Sequence, residues 1–195
     1  MEIDTKLLIV DCFDSFTYNL YHILEDLNGG NCEVMRYDRF DPNECREYSH
    51  IVLSPGPGLP ADYPQINNFL KHSEHQNILG VCLGLQCMVN YYGGKLEQLE
   101  KVKHGVSTSL VIEEETPLFK GIKSPLKIGH YHSWVAEVSS FPLDHFKVTS
   151  KSSDGEIMSL QHLQKPWAAV QFHPESVLTD NGPQMLENWL NFKWF

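Results

Sequence analysis

Short apolar runs alternate with helical patterns through the first half of the chain. Lys6 to Val10 predicts a buried strand, and apolar residues then recur at helical spacing up to Asn28-Gly29-Gly30. Further elements follow in the same half: strands over Cys32 to Tyr37, His50 to Ser54 and Asn77 to Val81, and a helix from about Asp62 to His72. This β-α alternation predicts a mostly parallel sheet with helices on both faces, whose ligands bind beyond the carboxyl ends of the strands.

The second half is richer in strand patterns. Strands are predicted over Val106 to Ile112, Phe146 to Ser150, Glu156 to His162 and Trp167 to Phe172, with a hairpin turn at Asp154-Gly155 and an amphipathic helix from about Gly182 to Phe192. The chain has no internal repeat and no long linker. We therefore expect residues 1–195 to form one α/β domain, a three-layer open sheet of mostly parallel or mixed type.

Composition narrows the function classes. The 195 residues include 15 Lys and Arg against 25 Asp and Glu, a net charge of −10 that disfavours nucleic acid and anionic membranes as partners.

The sequence also indicates where the protein is located. No apolar run approaches the roughly 20 residues that cross a bilayer. Glu2 and Asp4 lie where a secretory signal has basic residues. The five cysteines are odd in number and form no CxxC pair, which disfavours a disulfide framework. We expect a cytoplasmic protein.

One segment has the pattern of a nucleophile elbow. Gly80-Val81-Cys82-Leu83-Gly84 follows a predicted strand and precedes a predicted helix through Gln86 to Tyr92. The glycines on either side of Cys82 would let strand and helix approach without a Cβ clash. The start of the helix would favour the thiolate form of Cys82. The alternative is a buried, unreactive cysteine, because free cysteine is among the most buried residue types.

A base and its orienting group occur together in His173-Pro174-Glu175, directly after a predicted strand. A proline favours an extended backbone at the residue before it, and residues i and i+2 of an extended segment face the same way. Glu175 could therefore reach the imidazole of His173, as a nucleophile's base requires. The alternative is a surface histidine beside a solvated carboxylate.

Two further segments are candidates for binding. The rigid turn Ser54-Pro55-Gly56-Pro57-Gly58 could direct backbone N–H groups at an anion, with the N–H of Leu83 as the second half of an oxyanion hole. An ordinary proline-rich loop is the alternative. His130-Tyr131-His132 would place two imidazoles on one strand face, but no further ligands occur at suitable spacing, so we expect no metal site. Tyr131-His132-Ser133-Trp134 is expected to line a pocket or a partner surface.

Five segments in order extend these motifs over nearly the whole chain. They are Asp14 to Leu20, Ser54 to Gly58, Gly80 to Gly84 with Gln86, Tyr131 to Ser133, and Phe172 to Ser176. This set resembles the class I (triad) glutamine amidotransferases. The Asp14 to Asn19 segment and His104-Gly105 are most similar to the small subunits (component II) of anthranilate synthase and of aminodeoxychorismate (para-aminobenzoate) synthase.

The resemblance implies a flavodoxin-like fold and a triad of Cys82, His173 and Glu175. It implies that glutamine binds among the following residues: Gly56, Pro57, Gly58, Gln86, Ser133 and Trp134. L-glutamine would be hydrolysed through a glutamyl thioester on Cys82, with the N–H of Leu83 and the glycine-proline turn holding the oxyanion. Ammonia would pass to a separate chorismate-binding synthase subunit (component I), and this subunit would need no cofactor.

Some positions depart from the pattern of that family. Leu85 stands where His or Met is frequent, His130 where Arg is frequent, Cys12 where Asn is frequent and Lys103 where Met is frequent. None of them belongs to the triad, but they leave open which synthase is the partner, or whether both are. Two other hypotheses remain: a free-standing cysteine hydrolase of γ-glutamyl substrates, and a non-catalytic binding module, which the complete triad disfavours.

Overall fold

A computed structural model describes residues 5–192. Its strands are β1 Leu7–Asp11, β2 Cys32–Arg36, β3 His50–Leu53, β4 Asn77–Val81, β5 Leu96–Ile112, β6 Leu126–Ala136, β7 Phe146–Ser152, β8 Ile157–His162 and β9 Trp167–Val170. Its α-helices are α1 Thr17–Leu27, α2 Pro64–His72, α3 Leu83–Tyr91 and α4 Gly182–Leu190. The strands form one nine-stranded sheet in the order β2-β1-β3-β4-β9-β8-β7-β5-β6.

The sheet has a parallel half and an antiparallel half. Strands β2, β1, β3, β4 and β9 are parallel to one another, and the pairs from β9 to β6 are antiparallel. The predicted hairpin is present between β7 and β8, where the N–H of Gly155 donates to the carbonyl of Ser152. Strand β9 borders both halves, and its carboxyl end lies beside that of β4.

The helices cover both faces of the sheet, as predicted. On one face, α1 and α4 contribute Leu20, Leu24, Met185 and Trp189 to an apolar cluster. On the other face, α2 and α3 contribute Ile66, Phe69 and Met88 to a second cluster. Burial of these side chains on both sides stabilises the sheet by about 1.5–3 kcal/mol for each large aliphatic residue. The three-layer α/β architecture is confirmed.

The main differences from the predictions lie in the antiparallel half. The strand predicted over Val106 to Ile112 is only the end of β5, which starts at Leu96. Strand β6 extends well beyond the strand face predicted at His130 and His132. Strand β5 shows no apolar alternation because Leu110 is its one fully buried residue. Strand β6 buries histidines where apolar residues would signal a strand, so neither has the usual period-two pattern.

Helix boundaries differ by a few residues. The helix predicted from Asp62 begins at Pro64, after a short 3-10 turn over Pro60–Asp62, because proline is favoured at the first position of a helix. Helix α3 begins at Leu83, directly after Cys82, and α4 ends at Leu190. No helix within residues 5–192 is long and apolar enough to cross a membrane. All five cysteines are free and buried.

Candidate active site

Cys82 occupies a strained turn between β4 and α3. Its backbone has φ 51° and ψ −98°, a conformation that non-glycine residues rarely adopt. The turn requires glycine at both flanking positions: a Cβ on Gly80 would lie 2.7 Å from the backbone carbon of Gly84, and one on Gly84 would lie 2.5 Å from the carbonyl oxygen of Leu53. The elbow geometry expected from the sequence is therefore present, with Cys82 at the start of a helix.

His173 and Glu175 form a buried pair beside this turn. Nδ1 of His173 lies 2.7 Å from Oε1 of Glu175, and both side chains are almost fully buried. The carboxylate accepts the Nδ1 proton, which fixes the orientation of the ring. The other ring nitrogen, Nε2, is buried and makes no hydrogen bond to residues 5–192, so it is free to exchange a proton with a substrate. A solvated surface histidine does not describe this geometry.

The charge state of His173 reflects its two neighbours. Burial lowers the pKa of the imidazole, but the adjacent Cys82 sulfur and the Glu175 carboxylate outweigh burial and raise that pKa well above its ordinary value. Both neighbours therefore favour the imidazolium form of the ring. A positive charge beside a cysteine sulfur stabilises the thiolate, the reactive form of the nucleophile.

The backbone of His173 is fixed by β6 and by the loop that follows. Its N–H donates to the carbonyl of Gly129 at 3.2 Å. The hydroxyl of Thr179 donates to the carbonyl of His173 at 2.6 Å and accepts from the N–H of Gly129 at 2.9 Å. Since one threonine hydroxyl joins both backbones, the position of the imidazole is tied to strand β6.

Two aromatic rings enclose the imidazole of His173. The ring centroid of Tyr131 lies 4.9 Å from that of His173, and the ring centroid of Phe16 lies 5.3 Å from it. The Tyr131 hydroxyl is 3.0 Å from the hydroxyl of Ser176. The sequence marks Phe16 and Tyr131 as parts of motifs but predicts no contact with His173. Their contribution is to exclude water from one side of the base.

The glycine-proline turn after β3 lies against the start of α3. A Cβ on Gly56 would be 2.6 Å from the carbonyl oxygen of Cys12 and 2.7 Å from Cδ2 of Leu83. The Tyr63 hydroxyl lies within hydrogen-bond distance of the carbonyls of Cys12 and Pro57, at 3.1 Å and 2.9 Å. The turn is thus rigid and adjacent to Leu83, an arrangement in which both could donate to one oxyanion. That role remains a prediction.

The other predicted glutamine-binding residues lie on α3 and β6. Gln86 donates from Nε2 to the backbone carbonyl of Trp134 at 2.9 Å, which joins helix and strand next to Cys82. Ser133 and Trp134 are half-buried on β6. The structure therefore brings these residues to the same edge of the sheet as the triad.

Sequence reasoning missed one polar residue that contacts the nucleophile. Nε2 of Gln171 donates to Sγ of Cys82 at 3.4 Å, and Gln171 is completely buried. The available signal was its position, because Gln171 is the one polar residue in the predicted apolar strand Trp167 to Phe172. A buried polar side chain needs a hydrogen-bond partner, so a glutamine in such a strand indicates a specific contact.

The histidine pair on β6 shares one strand face, as the spacing indicated, and both side chains are buried. The rings of His130 and His132 lie 5.1 Å apart on one face, and Nε2 of His130 is 2.7 Å from the hydroxyl of Thr108. Burial lowers the pKa of His130 to about 4 and that of His132 to about 3, so both rings are neutral at neutral pH. Within the described part of the chain, no group of three or more metal-binding side chains occurs.

The fold and the geometry of the site together define a class of enzyme. A cysteine on a strand-to-helix turn, with a histidine and a carboxylate at the end of the neighbouring parallel strand, is the arrangement of a cysteine-dependent acyl-transfer enzyme. The family model for class I glutamine amidotransferases matches residues 8–192. The chain belongs to that family.

Relatives of similar length support this assignment. The chain is 40% identical over 186 residues to a putative anthranilate synthase component II of Haemophilus influenzae, with 95% of each chain covered. It is 36% identical over 187 residues to the aminodeoxychorismate/anthranilate synthase component 2 of Bacillus subtilis, with 94% of this chain and 95% of the relative covered.

A solved structure has the same fold. The structure of a putative GMP synthase subunit from Thermoplasma acidophilum superimposes with a TM-score of 0.87 at 21% identity, covering 97% of this chain and 94% of that one. The flavodoxin-like α/β fold expected from the resemblance is confirmed.

Proposed function

We propose that this chain is the glutaminase subunit of a chorismate-using synthase. It hydrolyses L-glutamine to glutamate and ammonia and delivers the ammonia to a separate synthase subunit. The observation that carries the proposal is the buried contact between His173 and Glu175 beside the strained Cys82. Relatives that match along their whole length are named as component II of such synthases, which supports a subunit over a free-standing γ-glutamyl hydrolase.

The first half of the reaction forms a thioester. The Cys82 thiolate attacks the carboxamide carbon of glutamine, and the N–H of Leu83 and the turn around Gly56 bind the resulting oxyanion. His173 then gives its Nε2 proton to the amide nitrogen as the carbon–nitrogen bond breaks. Ammonia leaves and a glutamyl thioester remains on the sulfur.

The second half releases glutamate. The now neutral His173 takes a proton from water at Nε2, and the hydroxide attacks the thioester carbonyl. The carbon–sulfur bond breaks, glutamate departs, and the thiolate and imidazolium are restored. Glu175 stabilises the imidazolium in both halves without itself becoming protonated. These steps use only water and groups of this chain, so we propose that the subunit needs no cofactor.

Exposed apolar side chains near the triad support docking of a partner. Phe13 follows β1 at the carboxyl edge of the sheet and is 46% exposed, and Val177, which lies just after Glu175, is 99% exposed. Tyr18, at the start of α1, is 57% exposed. A partner that covers these residues would remove their apolar surface from water and enclose the site from which ammonia leaves.

The net charge of the chain bears on where chorismate binds. A charge of −10 disfavours binding of a dianion such as chorismate. We therefore assign chorismate binding to the partner subunit. The five free cysteines suit a reducing compartment, which supports a cytoplasmic location.

The test is glutamine-dependent conversion of chorismate by this chain mixed in turn with each candidate synthase subunit from the same organism. We expect anthranilate, aminodeoxychorismate or, for a shared subunit, both, together with faster glutamine hydrolysis when the partner is present. The control is Cys82→Ser, which should still bind the synthase but support no glutamine-dependent product. Glutamine hydrolysis that no synthase changes, with neither product formed, would instead identify a free-standing hydrolase.

A further inference from the structure

A chain of three hydrogen-bonded groups leads from β6 to the nucleophile. Gln86 donates from Nε2 to the carbonyl of Trp134 at 2.9 Å and to Oε1 of Gln171 at 3.3 Å. Gln171 in turn donates from Nε2 to Sγ of Cys82 at 3.4 Å. Gln171 has no exposed surface and Gln86 is 4% exposed, so water cannot readily replace either partner.

The carbonyl of Trp134 fixes the orientation of both side-chain amides. A backbone carbonyl only accepts hydrogen bonds, so Gln86 must direct its NH₂ group toward Trp134. The same NH₂ group reaches Gln171, which must therefore present its carbonyl oxygen to Gln86. The NH₂ group of Gln171 is then left to face the sulfur of Cys82, as the structure shows.

We propose that Gln171 is a catalytic residue that stabilises the Cys82 thiolate by donating a hydrogen bond, and that Gln86 is a positioning residue that orients Gln171. The inference rests on the proposed role of Cys82 as the glutaminase nucleophile. It gives Gln86 a function in orienting the donor to the nucleophile, in addition to the contact with glutamine that the resemblance implies.

The charge on sulfur explains why this donor matters. A hydrogen bond to an ionised acceptor is roughly twice as strong as one between neutral groups, so the Gln171 donor favours thiolate over thiol. His173 supplies the compensating positive charge. Because the amide is buried and held by Gln86, it donates in a fixed direction and also limits the positions that the sulfur can adopt.

The experiment measures alkylation of Cys82 by iodoacetamide over a pH series, with the labelled peptide followed by mass spectrometry. In Gln171→Met the midpoint of the profile should shift upward by about one pH unit. In Gln171→Glu the shift should be larger, because a carboxylate replaces the donor with a negative charge. Gln86→Glu should also raise the midpoint, since the Gln171 amide then turns its carbonyl toward the sulfur.

Activity provides the second readout. Gln171→Met should lower kcat for glutamine hydrolysis about tenfold, a loss equal to one net hydrogen bond to a charged group, with little change in KM. The matched control is Ser159→Ala, which removes a buried hydroxyl on β8 that contacts Thr149 and Ser150 but not the nucleophile. That variant should keep the wild-type midpoint and kcat.

The outcomes separate this inference from the proposed function. If wild-type Cys82 hydrolyses glutamine and both Gln171 variants keep its midpoint, the proposed role of Gln171 and Gln86 in stabilising the thiolate is wrong. The glutaminase assignment then still stands. If wild-type Cys82 neither hydrolyses glutamine nor reacts with a glutamine-analogue electrophile, the proposed function itself fails. Should Gln171→Met not fold, Gln171→Glu and Gln86→Glu, which preserve side-chain size, decide the question by the same profile.

Discussion

Gly182 lies against Pro174 so closely that a Cβ at position 182 would be 1.8 Å from the Pro174 carbonyl oxygen. Helix α4 therefore begins in direct contact with the segment that carries His173 and Glu175. This contact explains why the helix starts at a glycine, although glycine is the second-worst helix former. A side chain at position 182 would therefore displace either the helix or the segment that carries the proposed catalytic base.

We expect Gly182→Ala to destabilise the protein by about 3 kcal/mol, because neither the helix nor the Pro174 backbone can move without disturbing its neighbours. Displacement of Pro174 should also lower glutamine hydrolysis. Urea unfolding at pH 7 measures the stability loss. The control is Gly105→Ala, where φ is 67° but no atom lies within 4 Å of the added Cβ, so backbone strain of about 1 kcal/mol is the expected cost. Equal losses in the two variants would contradict the steric explanation.

The triad predicts a ranking of glutaminase activities. Cys82→Ser and His173→Ala should each lower kcat at least about 10⁴-fold, because one removes the nucleophile and the other the proton carrier. Glu175→Ala should lower it less, since Glu175 orients and stabilises the imidazole without transferring a proton. Glutamate release measured with and without the synthase partner checks the order. A Glu175 variant as inactive as Cys82→Ser would refute the division of roles.

Thiol labelling of the folded protein should be selective. Burial raises the pKa of Cys12, Cys32 and Cys45 to about 12, so these thiols remain protonated and unreactive at pH 7.5. A glutamine-analogue electrophile should therefore modify Cys82 alone, and Cys82→Ser should remain unlabelled. After denaturation in urea, all thiols should react. Labelling of Cys12 in the native state at a rate similar to that of Cys82 would count against this prediction.

Acid should destabilise the fold below about pH 6.5. Burial lowers the pKa of His50, His130 and His162 from 6.5 to about 4. Between these values the unfolded chain binds protons that the folded chain excludes, so the free energy of unfolding falls as the pH falls. His173 acts in the opposite sense: its raised pKa contributes stability that is complete below pH 6.5 and is lost as the pH rises through the folded-state value.

Urea unfolding between pH 7 and pH 4 measures this dependence. His162→Asn should reduce the slope by the contribution of one histidine, although it lowers stability at pH 7 by removing the acceptor of the Gln164 and Lys165 amides. The control is His75→Asn at an exposed position, which should leave the slope unchanged. If His162→Asn has the same slope as the wild type, then the wild-type His162 imidazole binds its proton as readily in the folded state as in the unfolded chain.

The parallel half and the core of the site could be predicted because their signals are local. A buried strand, the glycine-flanked Cys82 and the residues after it form one continuous segment, and His173 and Glu175 are separated by a single proline. The order of strands and helices then places both segments at the carboxyl edge of the sheet. Local patterns sufficed there because backbone geometry alone brings the groups together.

The antiparallel half of the sheet and the hydrogen-bond chain from Gln86 through Gln171 to Cys82 could not be predicted in the same way. Strand β5 exposes most of its residues, so its sequence lacks a hydrophobic period, and β6 buries His130 and His132 at positions where apolar residues would indicate a strand. The side-chain partners of Gln171 come from α3 and from the turn before it, and the separation of 89 residues between Gln171 and Cys82 leaves no sequence signal for the contact. Such contacts depend on side-chain packing, which periodicity does not describe.

The position of β9 between the two halves of the sheet has a consequence for synthesis on the ribosome. The Cys82 turn emerges first, while β9 and the histidine that follows it emerge only after the whole antiparallel half. Strand β9 then pairs with β4 on one side and β8 on the other, and loop closure over such a distance is slow. A nascent chain therefore carries a nucleophile without its base, and glutamine is spared until β9 and His173 have been synthesised and β9 has paired with β4.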